Sequence, residues 1–409
     1  MKKILALLLA LVMVLGMAAC GAQDEPKEET LKVGFIFLHD ENSTYDKNFI
    51  DAAVAACKNM GVEMVQKTQI PESNACYDAA VELIEVEDCD IIFADSFGHE
   101  SFLMKAAKEY PDVEFCHATG TQAHTAGLKN FHNAFAHIYQ GRYLAGVVAG
   151  MKLKEMMDAD STIVPKMGYV GAFTFAEVIS GYTSFYLGAK SIVPEVTMDV
   201  KFTGSWYDET KEKQAAQALI DGGCVLISQH ADSMGAPTAC EAAKVPNVSY
   251  NGSTAAACPE TFLISSRINW VPYFEYMITC VKEDKAIDAD WAGTIDNGAV
   301  ALTDLGKNVA AGTAEKLETV KAGLKDGSIN VFDTKNFTVT VDAEKNLNTK
   351  ATVDANGVLT GYNADVDTDE AFAGDTEAIE NGIFYESKHR SGPYFDVEID
   401  GITLLDRAY

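Results

Sequence analysis

The chain has 409 residues, of which 48% are hydrophobic and 22% charged, and its formal net charge is −28. That length and apolar content supply a large core split over two domains. The acidity excludes nucleic acid as a partner, because phosphate binding needs clustered Lys and Arg.

The N-terminus reads Met1-Lys2-Lys3, then an apolar run from Ile4 to Met17, then Ala18-Ala19-Cys20-Gly21. Two lysines before a short apolar stretch and small residues form a secretory signal. The run is too short to span a bilayer as a mature helix, which takes about 20 apolar residues. It resembles a bacterial lipoprotein signal cut before Cys20, with Met17 where such signals usually carry Leu or Val. Residues 1–19 are thus read as a signal peptide and residues 20–30 as a lipidated tether, the Ala22–Thr30 stretch being polar with nothing to pack. The expectation is an exported protein, lipid-anchored through Cys20 to the outer face of the bacterial cell membrane and touching the bilayer only through that anchor.

From Leu31 onward, short apolar runs alternate with segments of helical period. Strands are predicted over Val33–Leu38, Val62–Gln66, Asp90–Ala94 and Val113–His117. The intervening helices are Asp46–Asn59, Ser73–Val86 and His99–Tyr110, the last stopped by Pro111. The pattern restarts after a strand at Phe131–Ala136 and a long helix at Tyr139–Met157. Strands follow at Met167–Val170, Val196–Phe202, Cys224–Ser228, Val248–Tyr250 and Phe262–Ser265, with helices at Phe175–Ser191, Asp208–Ile220, Ala236–Lys244 and Pro272–Val281. Continuous rather than alternating apolar strands mark parallel sheets covered on both faces.

The fold class expected is α/β, two doubly wound lobes around a cleft, with a small β-rich C-terminal appendage. Lobe 1 takes residues 31–135 with 268–291, lobe 2 takes 136–267 with 292–329, and the chain crosses near Phe135, Arg267 and Ala292. Residues 330–409 form an acidic extension with alternating stretches at Phe337–Val341 and Phe395–Ile399, read as packed on one lobe. The Asp365–Asp369 run lacks the spacing of a calcium cage and reads as a solvated loop. Besides Cys20 there are eight cysteines, several beside apolar runs as in Cys224-Val225-Leu226-Ile227, without CxxC or zinc spacing. They read as reduced, buried thiols. No metal and no cofactor is expected.

In doubly wound sheets, ligands bind beyond the carboxyl ends of the strands. Polar and aromatic residues cluster there: His39–Phe49, Asp95–His99, Ala172–Glu177, Ser205–Asp208, Gln229–Ser233, Tyr250–Ser253 and Asn269–Tyr273. Aromatic faces sandwich a flat ligand, and Asn, Asp and Ser edges hydrogen-bond it. Tyr45, Phe97, Phe173, Trp206 and Trp270 are expected to line the cleft, with Asn48, Asp232 and Asn251 supplying hydrogen bonds. Ser73 and Asp208 are read as helix caps. Few Lys or Arg accompany these segments, Arg267 excepted, so the ligand is neutral or cationic.

Five blocks together carry a resemblance: Tyr110–Phe115; Tyr139-Gln140-Gly141-Arg142-Tyr143-Leu144-Ala145-Gly146; Ser205–Asp208 with Lys211-Glu212-Lys213; Gln229–Ser233; and Asn269-Trp270. In order and spacing from about Leu31 to Ile329, the chain resembles the basic membrane protein family of ABC-transporter substrate-binding lipoproteins, which includes purine nucleoside receptors. The resemblance implies a type I binding fold with three crossovers that closes on its ligand, an ABC permease as partner, a monomer, and no enzymatic activity. Nucleoside-binding members place an aromatic near the position of Ser43, for which Tyr45 or Phe49 substitutes. They use an Asp where this chain has Asn251, and a Lys where it has Asn269-Trp270. A purine base or another flat heterocycle therefore fits as well as a nucleoside.

Two other readings compete. An exported sensor lobe would share fold and ligand but report to a receptor. An exported α/β hydrolase would need a Gly-Xaa-Ser-Xaa-Gly elbow, which the sequence lacks; His99, His117 and His230 then read as structural rather than as general bases.

Overall fold

The computed structural model describes residues 30–366 and 376–409. Cys20, the signal segment, nearly all of the tether and Asp367–Asp369 lie outside the described residues.

Lobe 1 opens with β1 (Lys32–Ile36), α1 (Thr44–Met60), β2 (Glu63–Lys67), α2 (Asn74–Glu85), β3 (Ile91–Ala94) and α3 (Glu100–Glu109). It continues through β4 (Glu114–Ala118), the single turn α4 (Ala123–Ala126) and β5 (Phe131–Ala136). Lobe 2 takes α5 (Ile138–Ala159), β6 (Lys166–Gly171), α6 (Ala176–Lys190), β7 (Thr197–Phe202) and α7 (Glu209–Asp221). Then come β8 (Leu226–His230), α8 (Gly235–Ala243), β9 (Asn247–Tyr250) and β10 (Phe262–Ile268). The chain returns to lobe 1 for α9 (Val271–Lys282) and β11 (Asp290–Gly293), then to lobe 2 for β12 (Val300–Leu302) and α10 (Thr313–Asp326). The tail holds β13 (Ala351–Val353), β14 (Leu359–Ala364), β15 (Thr376–Glu377), β16 (Ile379–Glu380), β17 (Ile383–Phe384) and β18 (Ile402–Leu404).

The strand orders are β11-β5-β4-β3-β1-β2 in lobe 1 and β12-β10-β9-β8-β6-β7-β18 in lobe 2. Every pairing in these two sheets is parallel except β10 with β12. Side-chain caps start the helices that frame the cleft: Ser43 accepts from the Asp46 amide, Ser73 from Ala75 and Asp208 from Lys211. Helices α5 and α6 cross at glycines. A Cβ on Gly146 would fall 2.0 Å from the Phe185 carbonyl oxygen, and one on Gly188 would fall 2.1 Å from that of Tyr143, so any side chain at either position forces the pair apart.

The chain passes between lobes after β5, after β10 and between β11 and β12. Hydrogen bonds tie these passages: His137 N–H donates to Gly293 O at 2.8 Å and Asn269 N–H to Ala299 O at 2.7 Å. The eight cysteines from Cys57 to Cys280 are buried and unpaired.

The tail departs from the expected appendage on one lobe. Its last strand, β18, joins the lobe 2 sheet beside β7 in parallel register, Ile402 opposite Met198. Phe395–Ile399 alternates in burial, with Phe395, Val397 and Ile399 all inside, yet it forms no strand. The period-2 pattern reports side-chain burial; a strand also needs a neighbouring backbone to bond.

Candidate functional site

A narrow cavity of about 20 Å³, room for about one water, lies between the lobes, beyond the carboxyl ends of β1, β3, β4, β6, β7, β8 and β9. Lobe 1 contributes Leu38, Tyr45, Ser96, Phe97 and Thr119, and lobe 2 contributes Glu177, Trp206, His230, Asp232, Tyr250 and Asn251. That is far below the volume of an ordinary ligand site, so the lobes stand nearly closed on each other here. The lobes touch beside it: Thr44 donates its backbone N–H (3.0 Å) and its hydroxyl (3.2 Å) to the Asp232 carbonyl oxygen.

The wall carries acidic side chains and no Lys or Arg. Asp232 is 5% exposed. Burial first, and then the neighbouring Asp46, Glu212 and Glu177 carboxylates, push its carboxyl well above the usual range. Asp95, behind Tyr45, is raised by burial and by Asp46. The Asn251 backbone is left-handed at φ 66°, a conformation Asn tolerates better than most residues. Its side-chain Nδ2 is buried without a hydrogen-bond partner among the described residues. Buried polar groups are normally paired, and an orphan donor on a cavity wall marks where a ligand acceptor fits.

Behind this wall runs a buried relay. Arg142 of α5 is 0% exposed; its Nη2 donates to Tyr169 OH (2.7 Å), Ser228 Oγ (3.1 Å) and Gln229 O (3.3 Å). Nη1 reaches Ser249 O at 3.2 Å, and the guanidinium lies 4.9 Å from the Tyr250 ring centroid. Arg142 thus gathers the ends of β8 and β9, the strands that present His230 and Tyr250. Since Tyr169 OH accepts from Arg142, it donates its own proton to His230 Nδ1 (3.4 Å), leaving Nε2–H to face Glu177 at 3.4 Å. Burial holds the His230 pKa below the usual imidazole value. His99 and His117 instead face backbone carbonyls, Ile70 O at 2.9 Å and Ser96 O at 2.7 Å. Among the described residues, no three His, Cys, Asp or Glu side chains assemble as a metal-ligand set.

Of the residues expected at the site, Tyr45, Phe97, Trp206, Asp232 and Asn251 line the cavity. Phe173 stands one layer back, edge-on to Trp206 at 5.1 Å and stacked on Phe175. Asn48 is turned to the passage between lobes, its Nδ2 donating to Ile268 O at 2.6 Å. Trp270 is 1% exposed and stacks on Phe49 at 4.5 Å inside lobe 1, away from the wall. Its indole also packs against Phe93 of β3 and Phe135 of β5 rather than over the ligand space. His230, Glu177 and Tyr250 were not singled out in advance. His230 and Tyr250 end β8 and β9 and Glu177 lies in the first turn of α6; all three fall within the strand-end segments named from the sequence, and the signal available was the topological rule itself.

Two parallel sheets joined by three passages, with an enclosed cavity at the passage side of their strand ends, define a type I solute-binding protein. Residues 36–350 match the family described as ABC transporter substrate-binding protein PnrA-like, Bmp; the chain belongs to that family. Among curated relatives, it is 30% identical over 314 residues to a purine-binding protein of Brucella abortus, covering 75% of this chain and 84% of the relative. It is 32% identical over 246 residues to a putative ABC transporter glucose-binding protein of Haloferax volcanii, covering 60% of this chain but only 59% of that relative. A solved solute-binding protein of an ABC transporter system from Aeropyrum pernix superposes with TM-score 0.63 at 16% identity, over 77% of this chain and 95% of that one, and so shares the fold.

Proposed function

We propose that this chain is the lipid-anchored capture component of an ABC importer, held by Cys20, and that it binds a purine nucleoside or nucleobase between its lobes. The observation that carries the ligand class is the pairing of half-buried aromatic faces, Phe97 and Trp206, with an unpartnered Asn251 amide and a desolvated Asp232 carboxylate in one cavity. A flat heterocycle stacks on the first pair. Its ring nitrogens or carbonyl accept from Asn251, and its amino or hydroxyl hydrogens go to Asp232. The lack of a wall cation disfavours nucleotides, whose phosphates need one. The purine-binding relative supports this reading. The glucose-binding relative favours a second one, a sugar whose hydroxyls go to the same acids with its apolar face on Trp206.

The deciding experiment is a melting panel of adenosine, guanosine, adenine, hypoxanthine and glucose, with mass spectrometry of whatever the denatured protein releases. A ligand at about 100-fold over its dissociation constant stabilises the fold by about 2.7 kcal/mol, a clear rise in Tm. A shift with glucose alone replaces the purine with a sugar; a shift with none, and release of a different compound class, rejects both. Anchoring is tested separately: Cys20→Ala should move the protein from the membrane to the soluble fraction.

A further inference from the structure

The tail is fastened to both lobes, and unequally. On lobe 2 it is built in: β18 is a strand of the sheet, Asp406 takes the Phe202 amide at 2.7 Å and the Lys201 ammonium at 2.6 Å. Thr174 and Ala408 also exchange hydrogen bonds at the rim, N–H to O at 2.7 Å and N–H to Oγ1 at 3.0 Å. On lobe 1 the tail adds no strand and is held by one hydrogen bond and by the attraction of the Arg390 guanidinium to the Asp290 and Glu100 carboxylates. The Ser391 amide donates to Asp290 Oδ1 of β11 at 2.6 Å. Gly392 lies so close to lobe 1 that a Cβ on it would come 2.6 Å from the Gly120 carbonyl oxygen.

Between these attachments lies a second space of about 330 Å³. Phe97, Thr119, Glu177 and Trp206 wall both it and the inner cavity. Its outer side is made by tail residues, Arg390, Tyr394 and Asp396 among them. Arg390 is 7% exposed. It folds back on its own segment, Nε to Gly392 O and Nη2 to Pro393 O, both at 3.0 Å. Its Nη1 is buried with no hydrogen-bond partner among the described residues. That orphaned N–H is a burial cost that water removes once the segment lifts, set against the lost attraction to the Asp290 and Glu100 carboxylates.

We propose that residues 390–409 are a clasp over the mouth of the ligand cleft, anchored on lobe 2 and detachable from lobe 1 at Ser391–Gly392, and that its release opens the path to the inner cavity. This rests on the inner cavity being the ligand site. The fold itself gives the reason for asymmetry: a strand in a sheet leaves only with sub-global unfolding, whereas one amide on one carboxylate opens locally.

The test uses the full chain. Hydrogen exchange without ligand should show amides of the 388–393 peptide exchanging at least about tenfold faster than those of the 400–406 peptide. Gly392→Val, which forces the segment off Gly120, should raise acrylamide quenching of Trp206, measured in a Trp291→Phe background. With guanosine as probe, it should speed association and dissociation together by roughly tenfold, the scale of one charge-assisted hydrogen bond. Asp290→Ala removes the acceptor without adding bulk and should give the same readings if the valine variant does not fold. Equal protection of the two peptides, with quenching unchanged in both variants, would overturn the clasp and leave the tail a fixed wall. If guanosine does not bind the unmodified protein, the nucleoside reading fails, and exchange and quenching alone decide the clasp.

Discussion

Two aromatic clusters, one inside lobe 1 and one at the cleft, do opposite things. In lobe 1, Phe35, Phe49, Phe93, Trp270, Tyr273 and Phe274 are all at most 1% exposed and interlock by stacked and edge contacts, Phe49 on Trp270 at 4.5 Å and Phe93 against Phe274 at 4.8 Å. At the cleft, Phe97, Phe173, Phe175 and Trp206 are half-buried, touch one another at 5.1 to 6.2 Å, and border carboxylates. The first set has filled its own surface; the second has faces left over. An aromatic side chain after a strand is therefore open to a ligand only where its neighbours leave it unfinished.

The largest effect expected from this contrast is on stability. Trp270→Ala deletes the centre of the lobe 1 cluster and should destabilise the fold by about 3–5 kcal/mol, as large aromatic-to-alanine changes in cores do. Trp206→Ala should cost the apo protein far less. Chemical denaturation of the two variants checks this, and similar losses for both would erase the distinction between the clusters.

The acids on the cleft side give the next effect. Burial raises the Glu212 carboxyl to about 7, although it accepts the Ser233 amide at 3.1 Å; Asp290 is likewise raised to about 6 and Glu386 to about 8. An acid whose folded pKa lies above its unfolded value binds more protons in the native state. Its contribution is fully present below about pH 4.5 and is lost as pH rises through the folded pKa. Stability should fall between about pH 4.5 and 8, with Glu212 supplying on the order of 3 kcal/mol of the change. Glu212→Gln should flatten that slope in a Tm series; a slope that the variant leaves intact would remove Glu212 as a source.

A smaller effect separates binding from folding. Trp206→Ala should weaken binding of the ligand by about 1–3 kcal/mol, the range for one aromatic–base stack. Titration by calorimetry reads it directly. Trp291→Ala, whose ring packs on Tyr273 at 5.1 Å within lobe 1, should leave the affinity unchanged.

The sheets were legible because their strands are short continuous apolar runs separated by helix-period segments, and because Ser73 and Asp208 cap in the ordinary way. The cavity was legible only to the level of strand-end segments. Tyr45, Phe97 and Trp206 could be picked because a bulky ring after a strand has few other places to go. Trp270 satisfies the same description and is buried; the difference lies in α9 packing against α1, a contact distant in sequence that no local pattern encodes. His230 and Tyr250 fell inside strand-end segments marked from the sequence but were not chosen from them, because their position depends on Arg142, whose partners come from residues 169, 228, 229 and 249. The place of the last strand was hidden for a related reason. β18 is three residues long, and its place beside β7 is fixed by pairing rather than by composition.

Tyr45 stands between the two clusters and can be used to find their border. Its ring meets Phe49 edge-on at 4.8 Å, and so reaches the dry set, while the same ring lines the cavity. Its hydroxyl donates to the Asp95 carbonyl oxygen at 2.6 Å, and burial, ahead of the Glu177 and Asp95 charges, holds the phenol neutral by raising its pKa far above 10. Tyr45→Phe keeps the ring and its contact with Phe49 and removes only that hydrogen bond. Stability should drop by about 1 kcal/mol, less than for any change above. Because the hydroxyl is spent on the backbone rather than offered to the cavity, ligand affinity should stay within about twofold, a difference of about 0.4 kcal/mol. Melting curves with and without the ligand separate the two quantities. A larger loss of affinity with unchanged apo stability would move the border, making the Tyr45 hydroxyl a ligand contact and leaving Phe49 as the first member of the core.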